Sequence, residues 1–195
     1  MAGIVLAAGL SRRMGQAKLL LDWHGAPVIR RTVERVIAAG LDDVVVVTGP
    51  EAAAIGEALA GLPLRLAVNP APEAGQAGSV VAGIRALRAG AAAAVIALGD
   101  QPTLPEAVIP RLVALARETG QAIVAPSYRG ARGNPVLFAA SVFPELLALT
   151  GDEGARGVIV RDPARVALAH FDLPMPPDLD TREDYERLRP SPGPV

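Results

Sequence analysis

Short aliphatic runs alternating with amphipathic stretches constrain this chain more than any other feature. Ile4-Val5-Leu6, Asp43–Thr48, Leu64–Asn69, Ala92–Leu98 and Ala122–Pro126 are short and apolar, most of them rich in β-branched residues, as strands buried on both faces are. Between them lie segments with helical periodicity. Pro27 opens one with Ile29, Val33, Val36 and Ile37 on a single face, and Gly40 stops it. Pro50–Ala60, a helix capped by Ser79 with Val80, Ile84 and Leu87 inside, and Pro105–Thr119 follow. Strand and helix alternating over short links predict a three-layer α/β/α fold with a mostly parallel, Rossmann-like sheet. In such sheets ligands bind beyond the carboxyl ends of the strands.

The pattern changes after Tyr128. Arg129–Gly133 reads as a turn and Pro135–Phe138 as an extended segment. Two short helices, Ser141–Leu149 and Ala155–Val160, flank Gly151-Asp152-Glu153-Gly154, before a strand at Val166–His170 and a last helix at Thr181–Leu188. Leu19–Asp22 is expected to be extended. Residues 1–189 are expected to form one domain, and the Pro- and Gly-rich tail 190–195 is expected to be disordered.

Composition narrows the chemistry. The chain of 195 residues has no cysteine, which excludes disulfides, thiolate metal sites and a cysteine nucleophile. A formal net charge of −1 gives no reason to expect a nucleic-acid or membrane surface. No apolar run is long enough to span a bilayer and the start lacks a signal-peptide pattern, so a cytoplasmic location is expected.

The first strand breaks into Ala7-Ala8-Gly9-Leu10-Ser11, then Arg12, Arg13, Gly15 and Lys18. Small residues let a ligand approach the backbone, and N–H groups with cations suit a polyphosphate. Lys18 is the one lysine among 19 basic residues. Its compact ammonium differs in kind from the planar fork of arginine. The same residues also fit a solvated basic loop. Asp100 follows the fourth strand, before Pro102, and Asp180 stands at the entrance of the last helix. Two carboxylates at the sheet edge would suit a hard divalent cation such as Mg²⁺. Asp100 reads equally as a loop aspartate, Asp180 as a helix cap, and Asp178 competes as a ligand. His24 and His170 read as structural.

Leu6–Lys18, with the pattern LAAG-x-S-x-R-M-G-x-x-K, resembles the signature of the MobA-like nucleotidyltransferases. Gly99-Asp100-Gln101-Pro102, Gly133–Phe138, Gly151-Asp152-x-Gly154-Ala155-Arg156 and Asp178-x-Asp180-Thr181-x-Glu183-Asp184 fall in that family's order. Within it the chain is most similar to the molybdenum cofactor cytidylyltransferases, because guanylyl relatives usually carry Gly-Gly where this chain has Ala7-Ala8. The resemblance implies a fold of the nucleotide-diphospho-sugar transferase type. It implies that a phosphate on molybdopterin cofactor attacks the α-phosphorus of CTP and pyrophosphate leaves. Leu6, Ala7, Ala8, Gly9, Gln76, Gly78 and Ser79 would contact the nucleotide; Ser11, Arg13 and Lys18 would hold the triphosphate. Arg13, Lys18 and Asp100 would be catalytic, and Asp100 with Asp180 would hold Mg²⁺. Asn134, Asp152 and Arg156 would face the acceptor. A molybdenum hydroxylase apoenzyme would be a partner.

Three rivals stay open. One is the same chemistry with GTP or another acceptor. Another is a non-catalytic chaperone for molybdenum cofactor. The third is a nicotinamide oxidoreductase, disfavoured because the first loop lacks G-x-G-x-x-G.

Overall fold

The computed structural model describes residues 1–9 and 17–189. Expectations for Ser11, Arg12, Arg13, Gly15 and the tail 190–195 lie outside the described residues.

Strand β1 (Ala2–Ala7) runs through the middle of an eight-stranded sheet, parallel to β2 (Asp43–Thr48) on one side and β4 (Ala93–Leu98) on the other. β3 (Arg65–Val68) extends the sheet beyond β2 in the same direction. The chain thus builds outward from β1 to β3, then returns to place β4 on the opposite side of β1. That reversal opens a crevice between the carboxyl ends of β1 and β4.

Beyond β4 the sheet is mixed. β5 (Ile123–Tyr128) and β8 (Val166–Phe171) run parallel to each other. β6 (Ala131–Arg132) and β7 (Val136–Ala139) are antiparallel to β5, and β7 is also antiparallel to β4. β6 and β7 are two pieces of one ribbon interrupted at Gly133-Asn134-Pro135, where the Asn134–Pro135 peptide is cis and the register against β5 slips by two residues. An antiparallel strand buried on both faces has the same aliphatic signature as a parallel one, so its direction was hidden in the sequence.

The strands alternate their side chains between two apolar clusters. Val5, Val44, Val46 and Val95 face α1 (Val28–Ala38), α2 (Ala52–Ala58) and α4 (Val108–Thr119) through residues such as Ile29, Val33, Ile55 and Leu112. Ile4, Val45, Val47 and Ile96 face α3 (Gln76–Arg85), α5 (Phe143–Leu147) and α6 (Arg156–Arg161) through Val80, Ile84, Leu146 and Ile159. The period-2 alternation puts neighbours on opposite faces and so yields three layers. α7 (Arg182–Leu188) closes the chain, its Tyr185 and Leu188 packing on the first cluster.

Two expectations are corrected. Lys18–Leu20 forms a 3₁₀ turn rather than an extended piece, which buries Leu19 and leaves Lys18 half-buried. Ser79 does not cap a helix: α3 already begins at Gln76, after Gly75, whose φ of 109° reverses the chain. Ser79 lies buried inside the helix and its Oγ accepts a hydrogen bond from Asn69 Nδ2 at 3.0 Å. Asn69 Oδ1 also accepts from Ala71 N–H, so Asn69 ties the loop that leads into α3 to the helix itself.

Candidate active site

Asp100 owes its place to close backbone packing at the end of β4. Gly99 N–H donates to the Leu6 carbonyl at 2.9 Å, and Thr32 Oγ1 donates to the Gly99 carbonyl at 3.0 Å. A Cβ on Gly99 would stand 2.9 Å from both the Leu6 carbonyl oxygen and Ile29 Cδ1, so only glycine lets β4 end beside β1.

The second and third carboxylates arrive on an extended segment, Asp178-Leu179-Asp180. Leu179 is buried in the core and its N–H donates to the Asp100 carbonyl at 3.2 Å. With Leu179 pointing inward, residues 178 and 180 share the other face. Thr181 then caps α7 in a capping box with Asp184. Thr181 does the capping, and Asp180 lines the crevice.

Lys18 Nζ lies 2.6 Å from Asp100 Oδ2 and 3.0 Å from Asp180 Oδ1. Burial pushes the Lys18 ammonium pKa down, but Asp100 and Asp180 outweigh it and the net shift is upward, so the ammonium stays charged. Asp178 accepts from Gln101 Nε2 at 2.8 Å. Crowding by the protein, and then the charges of Asp100 and Asp180, push its carboxyl above the usual range, with Gln101 and Lys18 acting the other way. Gln101 itself is buried, held also by the Pro176 carbonyl at 3.4 Å.

Lys18, Asp100, Asp178 and Asp180 line a cavity of about 510 Å³ with Leu6, Ala8, Gly9, Gln76 and Ser79. Among the described residues a Cβ on Gly9 would meet nothing within 4 Å. Of the expected nucleotide contacts, Leu6, Ala8, Gly9, Lys18, Gln76, Ser79 and Asp100 line this cavity; Ala7 and Gly78 do not. Ala7 is buried in the core, and Gly78 packs against the Asn69 amide. Glu73 and Asp178 also line it.

A second cavity of about 740 Å³ adjoins the first, sharing Leu6, Gln76, Leu98 and Asp152 with it. Asn134, Asp152 and Arg156, expected on the acceptor side, all line it. Asn134 is placed by the Tyr128 hydroxyl, which donates to its carbonyl at 2.9 Å. The junction is held by glycines: Ala77 N–H donates to the Gly151 carbonyl at 3.1 Å, a Cβ on Gly75 would collide with that carbonyl, and one on Gly154 would collide with the Gln76 side chain. Sequence reasoning missed Arg132, Gln101 and Glu73. Only Gln101 carried a signal, its place beside Asp100. His24 and His170 are exposed and line neither cavity.

Among the described residues no three His, Asp or Glu side chains converge as a metal cage. Asp100 and Asp180 do converge on one positive charge, the Lys18 ammonium. Two carboxylates meeting at a cation beside a phosphate-sized space are the donor set a hard divalent ion takes when substrate oxygens complete its shell. No helix among the described residues is long and apolar enough to cross a membrane.

Comparisons with known proteins bear on the family and the fold. The chain is 36% identical over 197 residues to the purine catabolism protein PucB of Bacillus subtilis, covering 96% of this chain and 95% of that protein. It is 30% identical to nicotine blue oxidoreductase of Paenarthrobacter nicotinovorans, with 95% of each covered. It is 31% identical to molybdenum cofactor guanylyltransferase of Rhodobacter capsulatus, over 95% of this chain and 93% of that one. Among solved structures, Rv0371c of Mycobacterium tuberculosis superposes with a TM-score of 0.87 at 31% identity, covering 97% of both chains. Its complex with manganese gives 0.83 at 28%, over 96% and 97%. A nucleotidyl transferase of Methanothermobacter, Mth528, gives 0.81 at 28%, over 96% and 95%. The MobA-like NTP transferase domain matches residues 3–168, most of the chain, and the chain belongs to that family of nucleotidyltransferases.

Proposed function

We propose that this single transferase domain, residues 1–189, moves CMP from CTP to the phosphate of molybdopterin cofactor. The observation that carries the reading is the Lys18 ammonium between Asp100 and Asp180, in the first of two adjoining cavities beyond β1 and β4. An acceptor phosphate oxygen bonds to the α-phosphorus, the bond from that phosphorus to the bridging oxygen breaks, and pyrophosphate leaves with the electron pair. The substrate phosphate is itself the nucleophile, so positioning and charge neutralisation carry the catalysis.

Asp100 and Asp180 would hold Mg²⁺, which supplies charge neutralisation at the phosphates. A relative in complex with manganese supports a divalent ion at this kind of site. Lys18 neutralises phosphate oxygens, with Ser11 and Arg13 of the preceding loop assigned the same task. The backbone at Ala8–Gly9, with Gln76 and Ser79, receives the nucleoside. Asn134, Asp152 and Arg156 face the acceptor. A molybdenum hydroxylase apoenzyme would receive the product, and catalysis would take place in the cytoplasm, away from nucleic acid and membrane.

Guanylyl relatives usually carry Gly-Gly at Ala7-Ala8, and a methyl there leaves less room for a purine; of the two only Ala8 lines the cavity, so the preference for cytosine is assigned to Ala8. A GTP donor is the second reading, favoured by the relative named as a guanylyltransferase. Pyrophosphate release with molybdopterin cofactor and each of CTP, GTP, ATP and UTP, for wild type and Asp100→Ala, tests all of this. CTP-dependent release lost in Asp100→Ala is expected. A preference for GTP removes the cytidylyl assignment, and equal release by wild type and variant removes the catalytic one in favour of a cofactor-binding role. Tight NADH binding without a divalent ion would instead favour oxidoreductase chemistry, which the name of one relative carries.

A further inference from the structure

Most described arginines are tied to carboxylates or carbonyls, as Arg65 is to Asp43 and Arg165 to Glu145. Arg132 on β6 and Arg156 at the start of α6 are different. Both line the 740 Å³ cavity, and neither guanidinium has a hydrogen bond or ion pair to another described residue. Asp152 and Glu153 line the same cavity, yet neither closes on them. A guanidinium beside apolar surface without a counter-charge offers a rigid fork of donors to an anion.

The cavity floor is apolar. Val80, Ile96, Val136, Phe138 and Ile159 contribute it from α3, β4, β7 and α6. Arg132 and Arg156 come from opposite flanks of the sequence around it, one just before the interrupted ribbon and one just after the Gly151–Gly154 loop. An apolar bed with two unneutralised forks is suited to a flat, largely apolar body that carries an anionic group.

We propose that Arg132, acting with Arg156, grips the anionic group of the acceptor, so that the second cavity selects a flat apolar molecule bearing a phosphate monoester over its neutral counterpart. The inference rests on the transferase reading for the identity of the acceptor side, and assigns a specificity role to Arg132. Arg132 touches the acceptor itself: its fork holds the phosphate in the cavity that adjoins the first at Leu6, Gln76, Leu98 and Asp152.

The test uses 1-naphthyl phosphate and 1-naphthol as probes, titrated calorimetrically into the full chain with and without the non-hydrolysable CTP analogue CMPCPP and Mn²⁺. Wild type should bind the phosphate at least about tenfold more tightly than the alcohol, the scale of one charge-assisted contact. Arg132→Gln should lose about tenfold or more for the phosphate only, Arg132→Lys should recover much of it, and CMPCPP affinity should be unchanged in both. Equal affinity of Arg132→Gln and wild type for naphthyl phosphate, or equal affinity of wild type for phosphate and alcohol, overturns the inference while leaving nucleotide transfer untouched. Failure of CMPCPP to bind wild type overturns the transferase reading instead, and the titrations without nucleotide still decide on Arg132.

Discussion

Replacing Lys18 by methionine keeps an unbranched side chain of similar length and removes only the ammonium. Two charge-assisted hydrogen bonds disappear, at 2.6 and 3.0 Å, and the Asp100 and Asp180 carboxylates lose the cation between them. Breaking a fully buried pair by removing one partner costs about 3–5 kcal/mol. Here Lys18 and Asp100 are 13% and 15% exposed but Asp180 is 36% exposed, so water screens part of the loss. A net cost of about 2 kcal/mol follows, and for a chain of this size that lowers Tm by roughly 4–8 °C. The folded ammonium has its pKa raised above 10.5, so its contribution is fully present below that pH and fades as pH rises through the folded value. The gap in Tm between wild type and Lys18→Met should therefore be constant from neutral pH upward and narrow only in strong alkali. Thermal unfolding in EDTA measures it. MnCl₂ should then stabilise the variant more than the wild type, because a divalent ion can enter the space the ammonium leaves. A loss of under about 1 °C would refute the energetic argument. Equal manganese stabilisation of both proteins would refute the shared cation position.

Asp178→Asn should raise Tm at pH 7. The Asp178 carboxyl pKa is raised above 3.8 on folding, so this group takes stability away as pH rises through the folded value; melts at several pH values should show the gain vanish near and below pH 4. Gly154→Ala should cost about 1–2 kcal/mol, since its φ is +52° and the added methyl meets the Gln76 side chain; a urea melt gives the cost, and affinity for nucleotide should fall with it. Ala8→Gly should narrow the discrimination between CTP and GTP in a competition assay with fold stability nearly unchanged.

Much of the architecture was legible because each buried strand is a run of Val, Ile, Leu or Ala beside a helix with a clear apolar face. Asp100 was legible for the same reason, standing where an aliphatic run ends. The reversed direction of β7 was not, since burial on both faces erases the alternation that marks orientation. Ser79 misled because serine is a common cap, and its hydroxyl had instead been engaged by Asn69, ten residues earlier. The sequence left Asp178 and Asp180 as rivals for one role. Packing brings both to the cavity, because Leu179 is the buried member of the triplet and turns both neighbours into the crevice. Arg132 was invisible, since only tertiary structure shows which of the many arginines lack a counter-charge.

The Asp178–Asp180 triplet also sets the charge of the crevice. Every other residue that lines the first cavity lies at or before position 152, yet two of its carboxylates are held there by the docking of Leu179. One buried leucine thereby works as a latch that fixes how much negative charge the cavity presents.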